Sequence, residues 1–173
     1  ELSPATVIVA VADDRVLFVE QYRPTVRNTQ LELPAGIVES GESYTEAGAR
    51  ELAEETGFAP SSTSLLQEVW CSTGVLRHKR GYVFAEGLEP VDVDHDSNEF
   101  LAPRAVPVDE ALDIAREPPT NDATLEGLLL AEREGLLEAT PPGVRRRPDR
   151  TRHASSSRGQ RGGINRCGPS IDV

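Results

Sequence analysis

The sequence is short of several residue types, and each shortage closes off a class of function. Only two cysteines occur, Cys71 and Cys167. No second Cys or His stands at metal spacing from either, so neither a disulfide framework nor a zinc site is indicated. No apolar run approaches the roughly 20 residues of a membrane span. The apolar opening from Thr6 to Ala12 follows an acidic residue and is soon cut by Asp13 and Asp14, unlike a signal peptide. A cytoplasmic location with no membrane partner is therefore the expectation. Methionine is absent and Glu1 comes first, so the natural start is expected to lie outside this sequence.

Basic charge is scarce where a fold can form. Residues 1–140 carry 27 acids against 10 Lys and Arg, whereas residues 141–173 carry 2 acids against 8 Arg. So acidic a body argues against duplex nucleic acid as the main ligand, because phosphate binding draws on clustered cations. Lys79 is the one lysine among the 18 basic residues. That fits a salt-adapted protein, in which ionic strength screens the repulsion between carboxylates. A GC-rich genome favouring Arg, with an ordinary acidic surface, accounts for the same counts. From Thr140 onward Pro, Gly, Ser and Arg take over without hydrophobic periodicity. One domain over residues 1–138 and a basic, disordered tail over 139–173 are expected. The Arg145-Arg146-Arg147 run is read as part of that tail.

What remains is patterned. Thr6–Ala12 and Arg15–Tyr22 are Val-, Ile- and Leu-rich and flank Asp13-Asp14, which suggests a hairpin. Thr29–Leu33 reads as a third strand, stopped by Pro34, with Pro34, Ala35 and Gly36 as a tight loop. A helix follows: Ser43 and Glu46 are spaced as a capping box and Gly57 supplies the stop. Ser64–Cys71 and Gly81–Ala85 read as strands, with Trp70, Tyr82 and Phe84 expected in the core. Helices are expected at about 108–116 and 122–134.

On the first helix Glu51, Glu54 and Glu55 fall at i, i+3 and i+4 and share one face. Ala49, Leu52, Ala53 and Thr56 lie opposite and would pack on a sheet. Three like charges on one face repel, and a divalent cation would turn that cost into a use. Oxygen-only donors suit Mg²⁺ or Mn²⁺. From these three residues alone, a solvated acidic face explains the pattern as well.

The surrounding spacing decides between them. Gly36, Glu42, Arg50-Glu51, Leu52, Glu54-Glu55, Gly57 and Phe58 fill every defined position of the Nudix box, which this segment resembles. Upstream, Gln21-Tyr22-Arg23 and Leu31-Glu32-Leu33-Pro34-Ala35-Gly36 are similar to the ADP-ribose pyrophosphatase branch of that family. The resemblance implies an α/β/α sandwich with a mixed β-sheet flanked by helices. It implies Mg²⁺-dependent hydrolysis of a nucleoside diphosphate sugar such as ADP-ribose, giving a nucleoside monophosphate and a sugar phosphate. Triphosphates, dinucleoside polyphosphates and NADH stay open as substrates, as does a non-catalytic nucleotide sensor. The implied metal ligands are Glu51, Glu54, Glu55 and the Ala35 carbonyl. Glu54, Glu55 and, in a distant acidic loop, Glu99 are the catalytic candidates. Arg50 is expected to pair with Glu42 or Glu54. Arg23, Arg27 and His78 are candidates for holding the substrate. His78 belongs to a basic stretch, Arg77 to Arg80, where the branch commonly carries an acid; the Pro of its Ser-Pro-Gly turn is Thr73 here. A homodimer is a further implication.

Overall fold

A computed structural model describes residues 2–92 and 102–138. Seven strands form one mixed sheet: β1 (Ala5–Ala12), β2 (Arg15–Arg23), β3 (Asn28–Glu32), β4 (Ala35–Ile37), β5 (Phe58–Cys71), β6 (His78–Pro90) and β7 (Ala102–Pro107). Three helices accompany them: α1 (Tyr44–Thr56), α2 (Val108–Ala115) and α3 (Asp122–Arg133). The main order is β3-β2-β1-β6-β5, with β4 beside β1 and β7 beside β2. Among the described residues only β1 and β6 run parallel; the other pairings there are antiparallel.

Strand alternation sorts the apolar residues onto two faces. Val7, Val9, Val11, Val16, Phe18, Tyr82 and Phe84 bury against Val108, Ala111, Leu128 and Ala131 of α2 and α3. Ile8, Ala10, Leu17 and Ala85 point the other way and enclose Leu52 of α1. The result is the expected helix–sheet–helix sandwich. Gly48 lets α1 lie close: a β-carbon there would meet Ile8 and Val83 side chains at 3.3 Å. Among the described residues no helix is long and apolar enough to cross a membrane.

The β1–β2 hairpin turns at Asp13 and Asp14, both at positive φ (48° and 60°), as a two-residue turn of matching twist requires. These strands pair only beside that turn, Ala10–Ala12 with Arg15–Leu17. Beyond it the chain from 28 to 37 fills the gap, β3 along β2 and β4 along β1. Residues 35 and 36, expected as loop, are thus strand; three residues give too short a pattern for periodicity to register. Trp70, expected in the core, is 51% exposed. It sits on edge strand β5, covered by Lys79 of β6 with Nζ 5.0 Å from the ring centroid.

Candidate active site

The insertion of β4 beside β1 determines which backbone groups face the acidic helix. The Pro34 carbonyl accepts from Ile8 N–H at 2.8 Å, and Val38 N–H donates to Pro4 at 2.9 Å. In an antiparallel strand the residues between such contacts direct their own N–H and C=O away from that neighbour. Ala35 and Ile37 are those residues. Ala35 N–H donates to a Glu55 carboxylate oxygen at 3.1 Å, and the Ile37 carbonyl accepts from Arg50 at 3.0 Å. The Ala35 carbonyl shares the side of its N–H and so faces the α1 carboxylates.

Gly36 supplies the space. A β-carbon on it would stand 1.9 Å from Glu51 Cδ, so only glycine lets that carboxylate lie against the strand. The Glu51 side chain fills the space that a side chain at position 36 would occupy.

Helix α1 holds its acids in register because its start is fixed. Ser43 accepts from Glu46 N–H at 3.3 Å while Glu46 accepts from Ser43 N–H at 2.8 Å, and Gly57 closes the helix at φ 74°. These bonds lower the Glu46 carboxyl below its ordinary value, the Ser43 backbone N–H foremost. Arg50 then ties the acidic face together. It donates to Glu42 at 2.9 and 3.0 Å, to Glu51 at 2.9 Å and to Glu54 at 3.0 Å. Both Glu42 and Glu54 are its partners, where the sequence offered either. The Glu42 carboxyl is lowered by the Arg50 hydrogen bond first, and the guanidinium is pushed up, again by Glu42 first.

One guanidinium among Glu42, Glu51, Glu54 and Glu55 leaves a surplus of negative charge. Among the described residues no three acidic, His or Cys side chains already converge as a cation cage; Arg50 stands within the acidic face instead. The donors nevertheless suit a hard divalent cation, being carboxylates and a carbonyl. Glu51 is largely covered and Glu54 half exposed, at 16% and 50% of the side chain, so one is held by the fold and the other meets solvent.

The other candidates are dispersed. Arg23 ends β2, and its guanidinium forks onto the buried Glu32 carboxylate with Nε at 3.0 Å and Nη2 at 2.5 Å. Arg27 is exposed in the β2–β3 turn at φ 53°. His78 begins β6 on the face of Arg80 and Tyr82, opposite α1, and its buried Nδ1 has no hydrogen-bond partner among the described residues. The basic stretch around it is partly neutralised: Lys79 pairs with Glu68 at 2.8 Å, and Arg80 reaches Tyr82 at 3.1 Å and Asp122 at 3.5 Å. The Tyr82 hydroxyl donates to Glu126, and burial raises its pKa. Glu99 and the 139–173 tail lie outside the described residues. The sequence passed over Glu32; its signal was one acid between Leu31 and Leu33 in a short strand.

Residues 2–143 match the family described as NUDIX domain. The chain is 29% identical over 132 residues to the ADP compounds hydrolase NudE of Escherichia coli (strain K12), covering 76% of this chain and 71% of that protein. It is 29% identical over 122 residues to the ADP-ribose pyrophosphatase of Bacillus subtilis (strain 168), 69% of this chain and 66% of that one. A crystal structure of an ADP compounds hydrolase superposes with a TM-score of 0.70 at 27% identity, covering 77% of this chain and 75% of that chain.

Proposed function

The chain belongs to the Nudix family of pyrophosphohydrolases, and from that premise we propose that it is a Mg²⁺-dependent hydrolase of nucleoside diphosphate sugars such as ADP-ribose. The observation that carries the reading is the surplus of carboxylate on α1 directed at the Ala35–Gly36 backbone, with Gly36 making room for Glu51. The relatives named for ADP-ribose and for ADP compounds support the substrate class.

Glu51, Glu55 and the Ala35 carbonyl would hold the ion, with Glu54 beside them. When bound, such an ion neutralises the two phosphates and makes water more acidic. Hydrolysis adds one water across the P–O–P bridge. Its oxygen bonds to one phosphorus, the bridging oxygen leaves with the other phosphate, and a carboxylate takes the proton. Glu54 is the half-exposed carboxylate able to orient that water, and Glu99, outside the described residues, is the candidate base. Arg50 restrains Glu42, Glu51 and Glu54 and so positions the face. Arg23 is assigned to a phosphate of the substrate and Arg27, in the exposed turn after it, to the substrate as well; His78, on the face opposite α1, is not placed at this site.

The test is a panel of ADP-ribose, other nucleotide sugars, NADH, dinucleoside polyphosphates and triphosphates with Mg²⁺, at low and high salt. AMP and ribose 5-phosphate in equal amounts from ADP-ribose are expected. No turnover of any compound by folded protein would sink the enzymatic reading.

A further inference from the structure

The acid beside Arg23 has no part in the chemistry described so far, and its placement is costly. Glu32 is 4% exposed, and a buried carboxylate is tolerated only when paired and hydrogen-bonded. Arg23 supplies three contacts: Nε to both carboxylate oxygens at 3.0 and 3.2 Å and Nη2 to one at 2.5 Å. The Arg23 side chain itself remains 41% exposed. One end of the pair is thus fixed in the fold while the other reaches solvent.

Its face is the informative part. Leu17 packs with Leu52 of α1, and alternation along β2 puts Val19, Gln21 and Arg23 on that same face. Glu32 stands opposite Val19 in the β2–β3 ladder, which places it there too. Three residues further on, Ala35 N–H donates to Glu55. Joining β2 to β3 does not require a buried ion pair, since apolar residues of similar volume do that at least as well. What a bidentate carboxylate adds is a guanidinium plane fixed in one orientation.

We propose that Glu32 is a positioning residue: its buried carboxylate fixes the Arg23 fork on the face of the carboxylate helix, ready for a phosphate of the substrate. This rests on the assignment of Arg23 to a phosphate under the proposed function. In so acidic a body a cation held in place is what a diphosphate needs to approach the site.

The experiment compares wild type, Glu32→Gln, Arg23→Lys and the double variant, each checked for folding by circular dichroism. With ADP-ribose and Mg²⁺, Glu32→Gln is expected to raise KM about tenfold with kcat within about twofold, the pattern of lost ground-state binding. Arg23→Lys keeps the charge without the fork and should match it. The double variant should be no worse than Arg23→Lys alone, because both changes remove one interaction. A lower Tm in these variants with KM unchanged would mean that the pair only staples the hairpin, and would overturn the proposal. If Glu32→Gln does not fold, Arg23→Lys carries the same comparison. Isothermal titration with inorganic pyrophosphate separates the two readings. A wild type that binds pyrophosphate and leaves ADP-ribose intact overturns the substrate assignment, and the same variants are then compared by Kd. Equal pyrophosphate Kd values throughout overturn the positioning role, and a wild type that binds neither compound overturns both.

Discussion

At the scale of single residues, the site depends on what is missing as much as on what is present. Gly36 has no side chain, and the Glu51 carboxylate lies where one would be. Gly36→Ala should therefore displace Glu51 and lower kcat by about 10- to 100-fold, the range for displacing groups that orient ligands, while circular dichroism stays unchanged. An alanine variant with the wild-type rate would show that Glu51 needs no such room. The shared face of Glu51, Glu54 and Glu55 beside Arg50 was legible because it follows from spacing along one helix. The Arg23–Glu32 pair was not, because Arg23 comes from another strand and the lone acid between Leu31 and Leu33 does not say which cation it meets.

At the scale of elements, α1 is a helix whose cap and buried stripe hold the acids still. Its buried residues are Ala47, Gly48, Leu52 and Thr56. Leu52 and Thr56 were readable as the packed face; Ala49 and Ala53, expected with them, are only half-buried, and Ala47 and Gly48 are buried instead, because small residues give little hydrophobic signal to choose between them. Leu52 is fully buried, so Leu52→Ala should cost about 2–5 kcal/mol in chemical denaturation; a loss under 1 kcal/mol would contradict the packing. The cap carries a pH signature. Glu46 has its folded pKa lowered from 4.5, so its contribution is present above that value and is lost as pH falls through the folded pKa. Glu46→Gln should thus melt below wild type at pH 7, with the gap closing as pH falls below 4.5 and the wild-type carboxyl protonates. A gap that persists at low pH would assign the effect to something other than charge. The inserted strand β4 escaped the sequence because its three residues are held by pairing to distant β1, and Trp70 was misplaced because nothing in its strand shows that β5 is an edge.

At the scale of the whole molecule, charge and architecture meet. The family and the sandwich were legible from the segment 36–58 and the strand pattern upstream, since that segment is local and dense in constraint. Substrate choice was less so, because Arg23 lies at the end of β2, Arg27 in the turn after it and His78 on the sheet face opposite α1. The acidic body predicts that Tm rises with NaCl as carboxylate repulsion is screened, with most of the rise by about 1 M, where the screening length falls to about 3 Å; a Tm that falls over the same range would contradict that repulsion. If the acidic face of α1 carries the reaction, Glu55→Gln removes one of its charges at nearly constant shape. With Mg²⁺ and ADP-ribose, the full chain should release AMP and ribose 5-phosphate, and the variant should lose more than about a hundredfold in kcat while melting as a folded protein. AMP release by Glu55→Gln at the wild-type rate would show that the acidic face of α1 does not carry the reaction.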